Sequence, residues 1–144
     1  MKAREIMTAD PQIVTPEQTV SRAAQIMRDL DVGVVPVVDN DVSRHLVGVI
    51  TDRDLAVRHI ADAHQQDCAV RSHMTHDDIE TADPEDDSAV VLEAMKRREV
   101  RRIPVVDGSG KLLGVIAQAD IAVTDEIPRE RVADVVKTIS EPTR

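Results

Sequence analysis

The chain has no phenylalanine, tyrosine or tryptophan. That excludes a nucleic-acid reader that stacks bases on aromatic rings, and it leaves aliphatic side chains and methionine to build the core. A single cysteine, Cys68, excludes an internal disulfide. No apolar run approaches the length of a membrane span, and the first residues carry no signal-like apolar stretch, so the expectation is a cytoplasmic protein that enters no membrane. Basic residues are the minority. Lys and Arg number 18 against 27 Asp and Glu, and the net charge of −9 argues against non-specific binding to nucleic acid or anionic lipid. Also missing are a nucleophile beside a base, a metal-hydrolase His pair and a Walker loop, so an enzyme is not expected.

What is present is a repeat. Aligned with itself at an offset of 66 to 68 residues, the chain matches in order. Met7-Thr8 recurs as Met74-Thr75, Pro16-Glu17 as Pro84-Glu85, and Met27 as Met95. Pro36-Val37-Val38-Asp39 recurs as Pro104-Val105-Val106-Asp107, Gly48-Val49-Ile50 as Gly114-Val115-Ile116, and Asp54 as Asp120. Each copy is too small to bury its apolar face alone, so pairing of the copies should supply the burial. The division expected is a first repeat with an N-terminal arm over 1–70, a second over 71–125, and an amphipathic tail over 126–144.

Within each repeat the pattern predicts helix, strand, strand, helix. Thr15-Pro16-Glu17-Gln18 reads as a capping box with proline at the first helical position, and Asp83-Pro84-Glu85 as a second cap and start. The first helix should bury Val20, Ala23, Ala24, Met27 and Leu30, and its counterpart Val91, Leu92 and Met95. Hairpins are expected from strands 34–38 with 46–50, and 103–106 with 112–116. A helix over 53–63 should present Leu55, Val57, Ile60 and Ala61 as its apolar set. Residues 64–72 lack Gly and Pro and suggest a short helical link. The tail helix over 128–140 shows Val132, Val135, Val136 and Ile139 on one face, which needs this chain's core or another protomer.

The turn Gly48-Val49-Ile50-Thr51-Asp52-Arg53-Asp54 is the stretch around which chemistry can gather. A strand running into a helix leaves backbone N–H groups without internal partners, and those groups suit an anion such as phosphate. Thr51 adds a hydroxyl donor, and Asp54 can accept from a sugar diol. The same residues also suit a plain helix start with Thr51 or Asp52 as its cap.

Pro-Val-Val-Asp and Gly-Val-Ile-x-x-x-Asp at matching places in two successive helix–strand–strand–helix units resemble the cystathionine-β-synthase (CBS) domain pair, over roughly residues 5 to 125. The resemblance implies an α/β fold, two β-α-β-β-α units packed through their sheets around a pseudo-two-fold axis, and clefts that take adenosine-type ligands. It implies a regulatory ligand of the AMP, ADP or ATP class, a homodimer, and a signal passed to a partner protein. Gly48, Ile50, Thr51 and Asp54 match the family's ribose and phosphate motif in full, with Arg53 as a further phosphate candidate. The same first cleft would draw Asp78, Ile79, Val100, Arg101 and Arg102 from the other repeat's lead-in and first strand. A purine would then lie between aliphatic groups such as Ile50, Ile79 and Val100.

The second set, Val32, Gly114, Ile116 and Asp120, departs from the motif because Ala117 stands where Thr51 stood and Gln118 replaces Asp52. It should hold a nucleoside, a weaker ligand or nothing. Lys96, Arg97, Arg98, Arg101 and Arg102 fall within seven positions; the first three suit a solvated helix C-terminus, while Arg101 and Arg102 lie beyond the helix. The alternative to a sensor is a ligand-free interaction or dimerisation module whose C-terminal helix docks on a partner enzyme or transporter. His59, His64, Cys68, His73 and His76 fall within 18 residues, with His64/Cys68 at i,i+4 and His73/His76 at i,i+3. No paired-Cys motif accompanies them and a helix break is expected between the pairs, so no metal site is expected.

Overall fold

A computed structural model describes residues 1–64, 66–123 and 128–140. The chain forms two compact units, one of Met1–Pro11, Glu80–Ser109 and Leu113–Arg144, the other of Gln12–Ile79 and Gly110–Leu112.

The second of these is built on an antiparallel hairpin of β2 (Val34–Val38) and β3 (Leu46–Thr51). Val35 pairs with Ile50, Pro36 with Val49 and Val37 with Gly48, and a bulge follows before Val38 meets Leu46. Val14 bridges the outer edge of β2 in parallel, and Thr75 bridges β3 antiparallel. Helix α2 (Val20–Leu30) covers the hairpin, burying Val20, Ala23, Ile26 and Met27 beside Val14, Val35, Val37, Ile50 and Val70. Ala24 and Leu30, expected inside, are exposed, and Ile26 takes the inward position.

The other unit repeats the plan. β1 (Thr8–Ala9), β5 (Leu112–Ala117) and β4 (Arg102–Val106) lie side by side in that order, with Thr8 opposite Val115 and Ala82 bridging β4 in parallel. Helix α4 (Ser88–Arg98) buries Val91, Leu92, Ala94 and Met95. Helix α6 (Arg129–Ser140) closes the same core through fully buried Val135, with Val132 and Ile139 packed against it. The tail therefore finds its partner in its own chain.

Repeat and compact unit divide the chain differently. The short helix α1 (Ala3–Ile6) and β1, at the head of the first repeat, belong with the second repeat's strands, whereas Met74-Thr75 at the head of the second lies on β3. Each Met-Thr meets a strand glycine. A Cβ on Gly48 would lie 2.8 Å from the Thr75 carbonyl oxygen, and one on Gly114 would lie 2.7 Å from that of Thr8. The recurring Met-Thr and the recurring glycine are thus two sides of one contact, made twice.

Both proline-led helix starts are displaced. Thr15–Gln18 is a turn in which the Thr15 N–H donates to Gln18 Oε1 at 2.9 Å, and α2 begins at Val20 with Thr19 as its cap. The reason is competition for carbonyls. Those of Pro16 and Gln18 accept from the N–H groups of Arg71 and Val70, so they cannot feed a helix. Likewise Pro84 and Asp86 accept from Arg4 and Ala3, and α4 waits for Asp87, whose carboxylate accepts from the Ala89 N–H.

The helix expected over 53–63 is also different. A three-residue α3 (Asp52–Asp54) widens into a π-helical turn over Leu55–Ile60, with a bond from the Ala61 N–H to the Ala56 carbonyl, and the chain then reverses at Ala63, where the His64 N–H donates to the His59 carbonyl. Leu55 is half-buried, while Val57 and Ile60 are exposed. Residues 64–69 hold no helix among those described, and only a 3₁₀ turn, Val70–Ser72, follows. No helix among the described residues is long and apolar enough to cross a membrane.

Candidate functional site

Strand β3 ends in extended backbone at Thr51, which caps α3. The Asp54 N–H donates to Thr51 Oγ1 and the Thr51 N–H to Asp54 Oδ2, each at 3.0 Å, so the plain helix start is built as a reciprocal capping box. A hydroxyl that accepts still has a proton to give. Among the described residues the Thr51 hydroxyl finds no acceptor for it.

Asp54 is more heavily engaged than its role as a diol acceptor requires. It is 7% exposed, takes the Thr75 hydroxyl at 3.2 and 3.3 Å, and has Arg58 Nε at 3.7 Å. Arg58 in turn donates to the carbonyls of His73 and Met74. Neither Thr75 nor Arg58 was anticipated as part of this group; the recurrence of Met-Thr was the available signal for the first. The counterpart turn, β5 into α5 (Gln118–Ala122), is sparser, with half-buried Asp120 accepting the Ala117 N–H at 2.8 Å.

Gly48 is buried beneath Met74 and Thr75, and Gly114 beneath Met7 and Thr8. Ile50 and Ile116 have no exposed surface and belong to the two apolar cores. The expectation that Ile50 flanks a purine is therefore corrected: inward alternation on β3 commits that side chain to the core. Gly48, Ile50, Thr51, Arg53, Asp54, Asp78 and Ile79 lie in one compact unit with Val32, whereas Val100, Arg101, Arg102, Gly114, Ile116 and Asp120 lie in the other. Ile79, Val100 and Arg102 are half-buried, and Asp78 and Arg101 exposed.

The basic run divides as its chemistry suggests. Arg97 and Arg98 pair with Glu80, and Lys96 with Asp134. The guanidinium groups of Arg53, Arg101 and Arg102 make no ion pair among the described residues. In a chain of net charge −9, three cations with no carboxylate partner among the described residues are notable.

A second group assembles where none was expected. Ligand atoms of His59, His64, Cys68 and His73 all lie within 4.8 Å of one another. His59 Nδ1 is 3.3 Å from His73 Nε2, and Cys68 Sγ is 3.5 Å from His64 Nδ1. His73 is 2% exposed. Burial first, then the charges of His59, His64 and Arg58, hold its pKa below the ordinary imidazole value. The anticipated break in the helix is real, yet it gathers these side chains instead of separating them. His76 stands apart, beside Asp77.

The model of the CBS domain matches residues 3–58 and again 70–124. The chain belongs to the CBS domain family. Its fold is accordingly mixed helix and strand with two CBS repeats. Hypoxic response protein 1 of Mycobacterium tuberculosis is 32% identical over 140 residues, covering 97% of this chain and 94% of that protein. A crystal structure of hypoxic response protein I with two coordinated zinc ions superposes at a TM-score of 0.75 and 30% identity, covering 89% of this chain and all (100%) of that one. The CBS domain protein PAE2072 from Pyrobaculum aerophilum, complexed with AMP, has a TM-score of 0.76 at 21% identity, covering 95% and 99%. Inosine-5'-monophosphate dehydrogenase of Streptococcus pyogenes is 34% identical over 119 residues, but the match spans 83% of this chain and only 23% of that enzyme.

Proposed function

We propose that this CBS protein is a non-enzymatic regulatory module that binds an adenosine-type nucleotide of the AMP, ADP or ATP class and passes the bound state to a partner protein, with a homodimer as the signalling form. The observation that carries the reading is the Thr51–Asp54 turn. Among the described residues it offers a hydroxyl with an unspent proton and an Arg53 guanidinium without an ion pair for phosphate, beside a carboxylate for ribose. Arg102 is the basic phosphate contact that the family resemblance implies, with Arg101 preceding it where some members carry His, and neither guanidinium makes an ion pair among the described residues. A protein of the same fold carries AMP. The second turn lacks the hydroxyl and, in this reading, is the weaker ligand site, with Asp120 as its acceptor and Val32, Gly114 and Ile116 as the remaining members of the motif. The ligand-free docking reading is the less favoured, because Val132, Val135 and Ile139 of α6 pack on this chain's own core and only Val136 of that face is exposed.

Nucleotide binding should raise Tm. At about 100 times Kd a ligand adds about 2.7 kcal/mol, worth roughly 5–10 °C for a chain of this size. Asp54→Asn and Thr51→Ala should each abolish the AMP-induced rise. Both residues also cap α3, at a cost of about 1 kcal/mol when lost, so each rise is read against that variant's own ligand-free Tm. Arg53→Gln and Arg102→Gln should weaken the response to AMP and leave any response to adenosine unchanged. Wild-type responses from both Asp54→Asn and Thr51→Ala would overturn the assignment.

A further inference from the structure

We propose that His59, His64, Cys68 and His73 form a closed, four-ligand site for a zinc-type divalent ion. The four residues share no member with the Thr51–Asp54 turn, and a metal ion there is independent of nucleotide binding.

Three imidazoles and one thiol make a borderline-soft set that suits zinc or cobalt and is foreign to magnesium or calcium. Tetrahedral zinc with nitrogen and sulfur ligands at their usual bond lengths has ligand-to-ligand edges of about 3.3–3.7 Å. The His59–His73 and Cys68–His64 separations, 3.3 and 3.5 Å, already match such edges, and every other edge is within 4.8 Å. Contraction of roughly an ångström at the longest edges completes the tetrahedron. The three rings meet edge to face at centroid distances of 5.1 to 5.7 Å.

The backbone is bent to make this possible. In an α-helix residues five apart project about 140° from one another, so His59 and His64 would diverge. Past the π-helical turn the chain reverses at Ala63, whose N–H donates to the Ile60 carbonyl while the His64 N–H donates to the His59 carbonyl, and this reversal brings the two histidines to one side. Ala63 then adopts a left-handed φ of 56°, a conformation costly for any residue with a Cβ, and so aims His64 back toward Cys68. From the other direction the 3₁₀ turn Val70–Ser72 buries His73 beneath them.

Apart from Leu55 on the core and Arg58 on Asp54 and the carbonyls of His73 and Met74, little holds this segment. No residue of the π-helical turn is fully buried, and Val57 and Ile60 face outward. An ion tying 59 and 64 to 68 and 73 supplies the tether that apolar burial does not. All four positions are filled by protein, leaving none open for water or substrate. The site is therefore structural and adds no hydrolytic chemistry.

The test uses full-length protein purified without a histidine tag. Elemental analysis should find zinc in stoichiometric amount. Removing it with a chelator should lower Tm by about 5–10 °C, zinc should restore it, and magnesium should not. Cobalt added to the apoprotein should give the visible bands of a tetrahedral ion with a thiolate charge-transfer band, which no aromatic residue of this chain obscures. Cys68→Ser should lose the charge-transfer band, and Cys68→Ser and His64→Ala should each lose zinc on gel filtration. Cys68 is half-buried and His64 exposed, so neither change threatens folding as a change at His73 would. Absence of zinc together with a Tm indifferent to added zinc would overturn the proposal. Wild-type zinc retention by both variants would overturn it equally.

Discussion

Gly114→Val should abolish cooperative folding near room temperature. A Cβ at this position would lie 2.7 Å from the Thr8 carbonyl oxygen and 2.6 Å from Met7 Sδ. The thioether can swing away, but the Thr8 carbonyl cannot, because Thr8 and Ala9 are held in register against Val115 and Gly114. The strand must then separate from β1, taking the N-terminal arm with it. That arm is bonded to the turn before α4 through the Ala3 and Arg4 N–H groups, so the damage spreads beyond one contact. A loss of more than about 3 kcal/mol is expected, a large fraction of a small protein's stability. Gly108→Ala is the control: nothing lies within 4 Å of its added Cβ, and the change should fall within about 0.5 kcal/mol. Urea denaturation of both variants measures the difference. A Gly114→Val protein with a wild-type midpoint would mean that the Met-Thr segment does not lie on β5.

Val135→Asp should cost nearly as much. Val135 is fully buried in the cluster that includes Leu92, Met95 and Ile121. A carboxylate there would lose its hydration without gaining a partner, and about 3 kcal/mol or more is lost in such cases, or roughly 6–12 °C in Tm. Val136→Asp, at a position 38% exposed, should shift Tm by no more than about 2 °C. The comparison distinguishes two roles for α6. If the helix were an arm reserved for a partner, both substitutions would leave Tm unchanged and weaken only association. The paired cations and carboxylates flanking Val135, Lys96 with Asp134 and Arg131 with Glu93, belong to the same docking within the chain. This helix lies outside the two matched CBS repeats, so it is an addition that completes one core.

What the sequence made legible was whatever local pattern or repetition encodes. The hairpins lie where alternation and turn residues placed them, and Val20, Ala23 and Met27 face inward at helical spacing. The Thr51–Asp54 turn was legible both as a cap and as a ligand motif, and its capping bonds are present. What escaped reading depended on partners far away in the chain. Pro16 looks like a helix start until its carbonyl is claimed by Arg71, and Pro84 until its carbonyl is claimed by Arg4. The 53–63 segment reads as an amphipathic helix because Leu55, Val57, Ile60 and Ala61 fit a period of 3.6, but a widened turn breaks that period. The histidines read as two separate pairs because spacing arguments assume α-geometry, whereas the chain reverses at Ala63 and runs without helix before the turn at Val70–Ser72, and the four ligands meet there. Thr75 and Arg58 on Asp54 were likewise invisible without the register of Thr75 against β3.

Equilibrium dialysis against AMP, followed by the near-ultraviolet spectrum of the protein compartment, tests the sensing reading most directly. With no Phe, Tyr or Trp the chain contributes almost nothing there, so retained adenine is read without correction. The wild type should take up AMP saturably, Thr51→Ala should lose that uptake, and Ala117→Thr should gain phosphate-dependent uptake. A wild-type protein that retains no adenine, or a Thr51→Ala variant that binds AMP as the wild type does, would contradict the sensing reading.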